Sequence, residues 1–347
     1  MVWFWLILTV SFFNQTLSQA CTAFYWKDSQ SSYFGKNYDW HHQNAYLITN
    51  KKFVWKKGFT IRPWEKGPKW VSKYGSITFN QYGREFPNGG MNEEGLAAEV
   101  LWLDSTQYEK ADSRPVLNQL NWVQYQLDNF ATVAEVIAAL PKYRLSPIEG
   151  KIHYFICDRT SNCAVIEWLK GKSVVHSGNA LSPKAITNHS YAESLAALPE
   201  NQLTMKVNQP IEGLDSTSLP RFIKISSLLK TEMPSLLKSF ELLNEVKMEK
   251  LTTWNIVYDQ ENFEIWYRTK ANSELRKVNL KAFDYKCTSP VLMLDIHEGR
   301  GDTTHLFTLY DSNKNHELLK DSLGDIKFST FLIPFLSGYP DKTQCDI

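Results

Sequence analysis

The sequence predicts an α+β fold, in which antiparallel sheets carry helices on their outer faces. Strand-like segments form three groups, at 22–103, 153–187 and 252–279. Two groups of helix-like segments, at 116–140 and 218–246, separate them. This succession of strands, helices, strands, helices and strands is typical of sheets that pair locally and pack their helices on the outside.

The predicted strands are short apolar or alternating runs that end at turn-forming residues. The turn at 50–52 is predicted to join 45–49 and 53–55 as an early hairpin, and 57–90, rich in Gly, Pro and aromatic residues, is predicted as a long loop with short strands. The predicted strands are 22–26, 33–38, 45–49, 53–55, 96–103, 153–157, 164–169, 173–176, 185–187, 252–258, 263–269 and 276–279.

Helices are predicted from an apolar stripe or from capping signals. Thr132 and Glu135 form a capping box, in which a hydroxyl and a carboxylate satisfy the first free amides of a helix. Pro141 ends that helix, and Pro220 lies in the first turn of a later one, where its missing N–H does little harm. The predicted helices are 116–129, 132–140, 218–229 and 234–246.

The first twenty residues are predicted as a signal peptide. A mostly apolar run of twelve residues, 2–13, is followed by Ser18 and Ala20, whose small side chains stand three and one positions before Cys21. A signal peptidase accepts that pattern, although the leader contains no Lys or Arg. We therefore expect residues 1–20 to be removed, the protein to be exported to the periplasm or secreted, and residues 21–347 to form one large domain.

Composition argues against several classes of partner. The net charge is +1 and Lys and Arg are interspersed with acids, so the sequence predicts no nucleic-acid binding. After the leader no apolar run approaches the ~20 residues of a membrane span, so stable membrane insertion is not expected. Spacings such as His-x-x-x-His or Cys-x-x-Cys are absent, and we expect neither a metal nor another cofactor.

Four cysteines follow Cys21 in the chain. Cys157 and Cys163 flank a turn-like segment between two predicted strands, so a hairpin could bring them to disulfide distance. Cys287 and Cys345 could then tie down the C-terminal tail. Sequence alone does not decide the pairing, and four buried free thiols are the alternative.

Cys21 itself has three interpretations. It could join a disulfide, or it could carry the lipid of a bacterial lipoprotein, although Ser18 stands where an aliphatic residue is expected. Alternatively, cleavage before Cys21 leaves a thiol and a free α-amine on one residue, and an amine with a typical pKa near ~7.7–8.0 can take the thiol proton at neutral pH. That combination is a self-contained nucleophile and base.

A series of motifs resembles the choloylglycine hydrolase family, which includes bile salt hydrolases and penicillin V acylases. Their order and spacing cover nearly all of the chain after residue 20. The resemblance implies an N-terminal nucleophile (Ntn) hydrolase, an αββα four-layer sandwich of antiparallel sheets flanked by helices, and hydrolysis of linear amide C–N bonds. The matching segments are 21–24 (CTAF), 35–40 (GKNYDW), 90–96 (GMNEEGL), the pair 153–154 and 164–167, 187–188 (TN), 218–222 (SLPRF), 252–255 (TTWN) and 266–269 (WYRT).

The resemblance also assigns catalytic roles. Cys21 is the implied nucleophile, and Asp39 orients its amine or thiol. The Asn188 side chain and the backbone N–H of Trp102 are the implied oxyanion donors, and Arg221 stabilises Asp39 or the developing charge. Without the resemblance, each of these residues has a structural alternative. Asp39 could be a turn residue, Asn188 could belong to a turn or cap a helix, and Arg221 could form an ion pair at a helix start.

Lys36 and two tryptophans complete the implied site. Lys36 replaces the arginine usual in the family; it keeps a positive charge near the thiol but loses the planar fork of donors, and a solvated surface lysine is the alternative. Trp40 and Trp102 resemble the Gram-negative branch and are expected to bind an aromatic or fatty acyl group, with core packing as the alternative.

The expected function is therefore that of a secreted amidase that cleaves a small N-acyl amide through a thioester. Penicillin V, N-acyl homoserine lactones, conjugated bile salts and N-acyl amino acids all present the required bond. The alternatives are a binding lipoprotein anchored at Cys21 and a catalytically weak member that only binds acyl amides. The sequence does not decide whether the protein forms a homo-oligomer. The segment from Asn188 to Arg221 spans 33 positions, which is short for the insertion that holds bile salt hydrolase tetramers together.

Overall fold

The structure is a computed structural model that describes residues 21–147, 150–199, 218–324 and 330–346. The predicted leader, 1–20, lies outside the described residues, as does 200–217 in the segment between the asparagine and arginine motifs. The strands are β1 (Thr22–Lys27), β2 (Ser32–Asp39), β3 (Tyr46–Asn50), β4 (Val54–Lys57), β5 (Lys69–Val71), β6 (Ser76–Asn80), β7 (Gly89–Asn92), β8 (Ala97–Trp102), β9 (Val116–Leu117), β10 (Arg144–Leu145), β11 (Ile152–Cys157), β12 (Cys163–Leu169), β13 (Lys172–Ser177), β14 (Ala185–Ile186), β15 (Thr252–Asp259), β16 (Glu264–Thr269), β17 (Arg276–Asn279), β18 (Leu292–Asp295), β19 (Gly301–Asp302), β20 (Thr308–Leu309) and β21 (Gln344–Cys345). The helices are α1 (Gln119–Asn129), α2 (Val133–Ala139), α3 (Tyr191–Ala196), α4 (Ser218–Thr231), α5 (Leu236–Glu245), α6 (Ser312–Leu323) and α7 (Ile333–Ser337).

Two large sheets dominate the described part of the chain. The first sheet has seven strands in the order β14-β1-β2-β15-β16-β17-β19, and the second has nine in the order β13-β12-β11-β8-β7-β6-β3-β18-β20. Neighbouring strands are antiparallel throughout, except that β17 and β19 at one edge of the first sheet run parallel. Strands β1 and β2 therefore lie in the interior of the first sheet, between β14 and β15.

The two sheets pack face to face, with helices on both outer faces. Rings from both sheets meet between them, as where Phe34 of the first sheet contacts Phe155 of the second with centroids 5.0 Å apart. Helices α4 and α5 pack on the outside of the first sheet, against β1, β14, β2 and β15. Helices α1 and α2 bury their apolar faces on the outside of the second. The predicted αββα four-layer sandwich is confirmed.

The predicted early hairpin is wrong. Strand β3 pairs with β6 and β18 in the second sheet, whereas β4 pairs with β5 and β21 in a separate small sheet. The buried Asn50 amide donates to the hydroxyls of Ser76 and Thr78. These contacts tie the end of β3 to β6, and the chain leaves for another sheet instead of turning back.

Two of the predicted helices have different starts. Residues 116 and 117 form the short strand β9, parallel to β10, and α1 begins only after Asn118, whose side chain accepts hydrogen bonds from the amides of Leu120 and Asn121. Helix α5 likewise begins two residues later than predicted, after the cap Ser235. The capping box of Thr132 and Glu135 is confirmed. Helices α3, α6 and α7 and strands β18–β21 were not predicted.

All four later cysteines are paired. Cys157 and Cys163 lie directly opposite each other on β11 and β12, with Cα atoms 4.1 Å apart. Cys287 bonds Cys345 and attaches the C-terminal strand β21. Among the described residues Cys21 is the free cysteine. That part of the chain contains no helix with the length and hydropathy of a membrane span, and no cluster of three His, Cys, Asp or Glu side chains that could hold a metal ion.

Candidate active site

The pairing of β1 with β2 brings Cys21 next to two of the predicted site residues. Cys21 immediately precedes β1, and the register sets Ala23 opposite Lys36. Asp39 is the last residue of β2. Because β2 is flanked by β1 and β15 and sandwiched between helices and the second sheet, all three side chains are buried.

Both backbone polar atoms of Cys21 are held by side chains from distant segments. Its nitrogen donates to Oδ1 of Asn188 at 2.7 Å. Its carbonyl oxygen accepts from Arg221 at 2.9 Å. Burial raises the pKa of the Cys21 thiol, and the charge on Lys36 and a hydrogen bond from the backbone N–H of Asp39 oppose that increase.

Asp39 lies beside this residue as a buried carboxyl group. Its Oδ1 accepts from the Thr252 hydroxyl, and its Oδ2 is 3.6 Å from the nearest nitrogen of Arg221. Burial raises the pKa of Asp39 to about 6, against the lowering effects of Arg221 and the Thr252 hydrogen bond. Within the described chain no group donates a hydrogen bond to Oδ2 of Asp39. This oxygen can therefore accept a hydrogen bond from a further donor.

Asn188 follows β14 and is fixed by three hydrogen bonds. Its Oδ1 accepts from Cys21 and from Arg221, the latter at 3.0 Å. Its Nδ2 donates to the carbonyl of Trp102 at 2.8 Å. Because the oxygen of this amide faces two donors and its nitrogen faces an acceptor, the orientation of the Asn188 side chain is determined. The atom of Trp102 in this contact is the carbonyl; the oxyanion role of its N–H stays a prediction.

Arg221 connects the predicted residues to one another. It lies on α4 and is fully buried. Besides the Cys21 carbonyl, Asn188 and Asp39, its guanidinium contacts the Thr22 hydroxyl at 2.7 Å. A planar group with donors in a fixed fork suits such a junction. The structure therefore gives Arg221 a more extensive set of contacts than an ordinary ion pair at a helix start.

Lys36 is buried, so the alternative of a solvated surface lysine is wrong. Its Nζ donates to the carbonyl of Val100 and lies 3.7 Å from Oε2 of Glu99. Sequence reasoning missed Glu99, although a lone carboxylate in the apolar run 96–103 was a visible signal. Burial raises the pKa of Glu99 to about 7 against the charge of Lys36, and the Tyr258 hydroxyl donates to its other oxygen at 2.5 Å.

Trp40 and Trp102 face each other beside these residues, with ring centroids 6.0 Å apart. Both are half-buried. The indole N–H of Trp102 donates to Asp104 at 2.7 Å, and Trp40 stacks on His41 at 4.9 Å. The pair offers partly open aromatic surface next to Asn188.

A family model for linear amide C–N hydrolases of the choloylglycine hydrolase family matches residues 21–293. The chain belongs to this family. The match begins at Cys21, so the family region and the described site begin at the same residue.

Several relatives of this choloylglycine hydrolase family member are known. Penicillin V acylase of Pectobacterium atrosepticum is 27% identical over 251 residues, which are 64% of this chain and 63% of that protein. The alignment therefore spans less than two thirds of that relative. The structure of penicillin V acylase from Agrobacterium tumefaciens matches with a TM-score of 0.71 and 26% identity, over 84% of this chain and 98% of that one. A variant of conjugated bile acid hydrolase from Clostridium perfringens shares the fold, with a TM-score of 0.64 and 19% identity, over 81% and 98%.

In this family member the six residues predicted as catalytic are thus close together. Direct contacts link Cys21, Asn188, Arg221 and Asp39, the Asn188 amide reaches Trp102, and the charge of Lys36 acts on the thiol. A neutral thiol, a buried carboxyl group, a fixed amide and two cations form a group of side chains that can support nucleophilic attack on an amide.

Proposed function

We propose that the chain is an exported acylase in which Cys21, freed at its nitrogen by removal of residues 1–20, hydrolyses the linear amide bond of an N-acyl substrate. The observation that carries the proposal is that two side chains bind the backbone polar atoms of Cys21. Its nitrogen lies 2.7 Å from Oδ1 of Asn188, and its carbonyl oxygen accepts a hydrogen bond from Arg221. Side chains that anchor the backbone of a cysteine support a role in placing it for reaction.

The electrostatics favour a thiol that needs a base. Because burial raises the pKa of Cys21, the thiol is protonated at neutral pH and attacks only if its proton is removed. The new α-amine takes that proton as sulfur bonds to the acyl carbon. The proton then passes to the leaving amine as the C–N bond breaks. Water attacks the thioester, releases the carboxylic acid and restores the thiol.

Asp39 is proposed to orient the amine. An α-amine carries more N–H groups than the peptide nitrogen that donates to Asn188, and Oδ2 of Asp39 is a buried acceptor without a hydrogen bond from the described residues. Arg221 supports the carboxylate form of Asp39, as its lowering effect on that pKa indicates. Lys36 acts on the thiol through charge.

Asn188 is proposed to stabilise the oxyanion. An amide nitrogen carries two N–H groups, so Asn188 can keep its bond to Trp102 and donate the second to the tetrahedral intermediate. The backbone N–H of Trp102 is the other proposed donor. Such donors act mainly on the transition state, and one of them typically contributes ~10²–10³ in turnover.

The acyl group is proposed to lie against Trp40 and Trp102. Two indoles with facing surfaces suit an aromatic or fatty acyl chain. Penicillin V, with its phenoxyacetyl group, is the first candidate because two relatives are penicillin V acylases. N-acyl homoserine lactones, conjugated bile salts and N-acyl amino acids complete the set to be tested.

The test is release of the amine product from each of these substrates by protein that begins at Cys21. Cys21→Ala and full-length chain with the leader retained serve as controls, because one lacks the thiol and the other the amine. Activity of the mature wild type alone supports the proposal. Equal activity in the Cys21→Ala variant, or silence of the mature protein on every substrate, contradicts it.

A second measurement separates the enzyme from a lipoprotein. The mass of the N-terminal peptide of exported protein distinguishes an unmodified Cys21 from one that carries a diacylglyceryl group. We expect an unmodified residue with a free amine; the lipid adduct would favour the anchored binding protein instead.

A further inference from the structure

A buried histidine and a buried glutamate lie behind Asn188, apart from the residues proposed to react. His153 is on β11 and Glu167 on β12, and neither is exposed. Nδ1 of His153 is 3.0 Å from Oε1 of Glu167, and Nε2 is 2.9 Å from the carbonyl oxygen of Thr187. The same carboxylate oxygen accepts from the backbone N–H of Tyr191 at 2.9 Å.

These contacts determine how the ring of His153 is held. A carbonyl oxygen can only accept, so Nε2 of His153 carries a proton and donates to Thr187. Nδ1 faces the Glu167 oxygen that also accepts from Tyr191, so the opposite side of the ring is fixed by a second hydrogen bond. The buried Thr187 carbonyl therefore depends on His153 for this hydrogen bond, and His153 depends on Glu167 for its orientation.

The carbonyl held by this pair belongs to the residue just before Asn188. Because the peptide unit is planar, fixing the carbonyl oxygen of Thr187 also fixes the nitrogen and the Cα atom of Asn188, from which its side chain extends. From there the amide reaches Cys21, Trp102 and Arg221. Helix α3, which begins at Tyr191, is joined to the same carboxylate. The segment that carries Asn188 is therefore held from both sides.

We propose that His153 and Glu167 are positioning residues for the amide hydrolysis, and that they act by holding the Thr187 carbonyl so that the Asn188 amide is aligned with Cys21. This inference rests on the proposed function, since it assigns the pair a part in that reaction. The pair touches neither the nucleophile nor the proposed acyl site. Its effect is on the oxyanion donor and hence on the transition state more than on substrate binding.

Two substitutions of His153 separate this role from general packing. His153→Gln keeps an amide N–H close to the place of Nε2, next to Thr187. His153→Asn keeps one close to the place of Nδ1, next to Glu167, and loses the bond to Thr187. We expect His153→Asn to lower kcat on the order of 10²-fold, the typical effect of a misplacement of about 1 Å, with KM little changed. His153→Gln retains most of the activity.

Two further variants calibrate the comparison. Asn188→Ala sets the loss expected when the donor itself is removed, about 10²–10³-fold. His297→Gln removes another histidine hydrogen bond, to Thr269 at 2.9 Å, away from the site, and leaves kcat unchanged. A kcat of His153→Asn equal to that of wild type, or equal losses in His153→Asn and His153→Gln, overturns the proposal.

Hydrogen exchange gives a readout that does not depend on the reaction. Peptides covering 185–190 are compared in the same variants by mass spectrometry. Faster exchange in His153→Asn, but not in His153→Gln or His297→Gln, is expected because only the first releases the Thr187 carbonyl. Unchanged exchange in His153→Asn overturns the positioning role even if the wild type cleaves none of the tested substrates, whereas inactivity with the expected exchange pattern contradicts only the proposed function.

Discussion

Replacing Lys36 by methionine tests the buried charge pair next to Cys21. Methionine has nearly the length of lysine, so the change removes the charge with little change in volume. At 3.7 Å from Glu99, the lost attraction amounts to about 4.5 kcal/mol at an effective dielectric constant of about 20. Without Lys36 the carboxyl group keeps its desolvation penalty, and its pKa rises above the present value of about 7.

The result is a stability difference that depends on pH. In the wild type, Glu99 is ionised in both the folded and the unfolded state above pH about 7. It therefore adds no pH dependence to the free energy of unfolding in that range. In Lys36→Met the folded state keeps the proton and the unfolded state does not. The free energy of unfolding of the variant therefore falls with rising pH by about 1.4 kcal/mol per unit. Relative to wild type it loses a further ~2–3 kcal/mol between pH 7 and pH 9.

Urea unfolding at several pH values measures this difference. Lys36→Met combined with Glu99→Gln serves as one control, because the carboxyl group of Glu99 is gone and the part of the slope that comes from its protonation should vanish. Lys27→Met is the other, since Lys27 is exposed on the neighbouring strand. Parallel stability curves for wild type and Lys36→Met from pH 6 to pH 9 would refute the reasoning.

Two further predictions concern pH dependence and the tail. Because the Asp39 pKa is about 6 and the carboxylate is the proposed acceptor, its protonation should add a further fall in kcat/KM as pH drops below about 6, beyond the fall caused by protonation of the amine. Thr252→Val should move that fall to higher pH, because it removes a hydrogen bond to the carboxylate of Asp39. Thr253→Val should leave the pH profile unchanged, because the Thr253 hydroxyl donates to a backbone carbonyl instead. Identical pH profiles for Thr252→Val and the wild type would contradict this prediction. Replacing Cys287 and Cys345 by alanine opens a cross-link of separation 58 and should lower the free energy of unfolding by about 4 kcal/mol in denaturant titrations; an unchanged midpoint would be inconsistent with that model.

Local signals predicted much of the fold. The capping box at Thr132 and the long strands of the two sheets were correctly located, because alternation and capping depend on neighbours in the chain. Strand partners depend on contacts remote in sequence, and the early hairpin at 45–55 was wrong for that reason. The order of the family motifs was the one signal that concerned residues distant in sequence, and it correctly indicated the four-layer arrangement.

The candidate site was predictable only for residues inside recognised motifs. Cys21, Asp39, Asn188 and Arg221 were singled out in this way, and the structure brings them together. Glu99 lies in an apolar run and was taken as part of a buried strand. His153 and Glu167 were similarly interpreted as components of a matching hairpin. Their part in the polar network depends on which face of the sheet they occupy and on what lies across from them.

The anchoring of Cys21 has a consequence for local unfolding. The first residues of a domain usually fray, since nothing precedes them to hold them in place. Here the hydrogen bonds of Cys21 reach 167 and 200 positions along the chain, to Asn188 and Arg221. The start of β1 therefore cannot open alone without also breaking contacts of helix α4. In a chain that begins at Cys21, the terminal residue would consequently stay tied to two distant segments, and its side chain would share the rigidity of the buried residues around it.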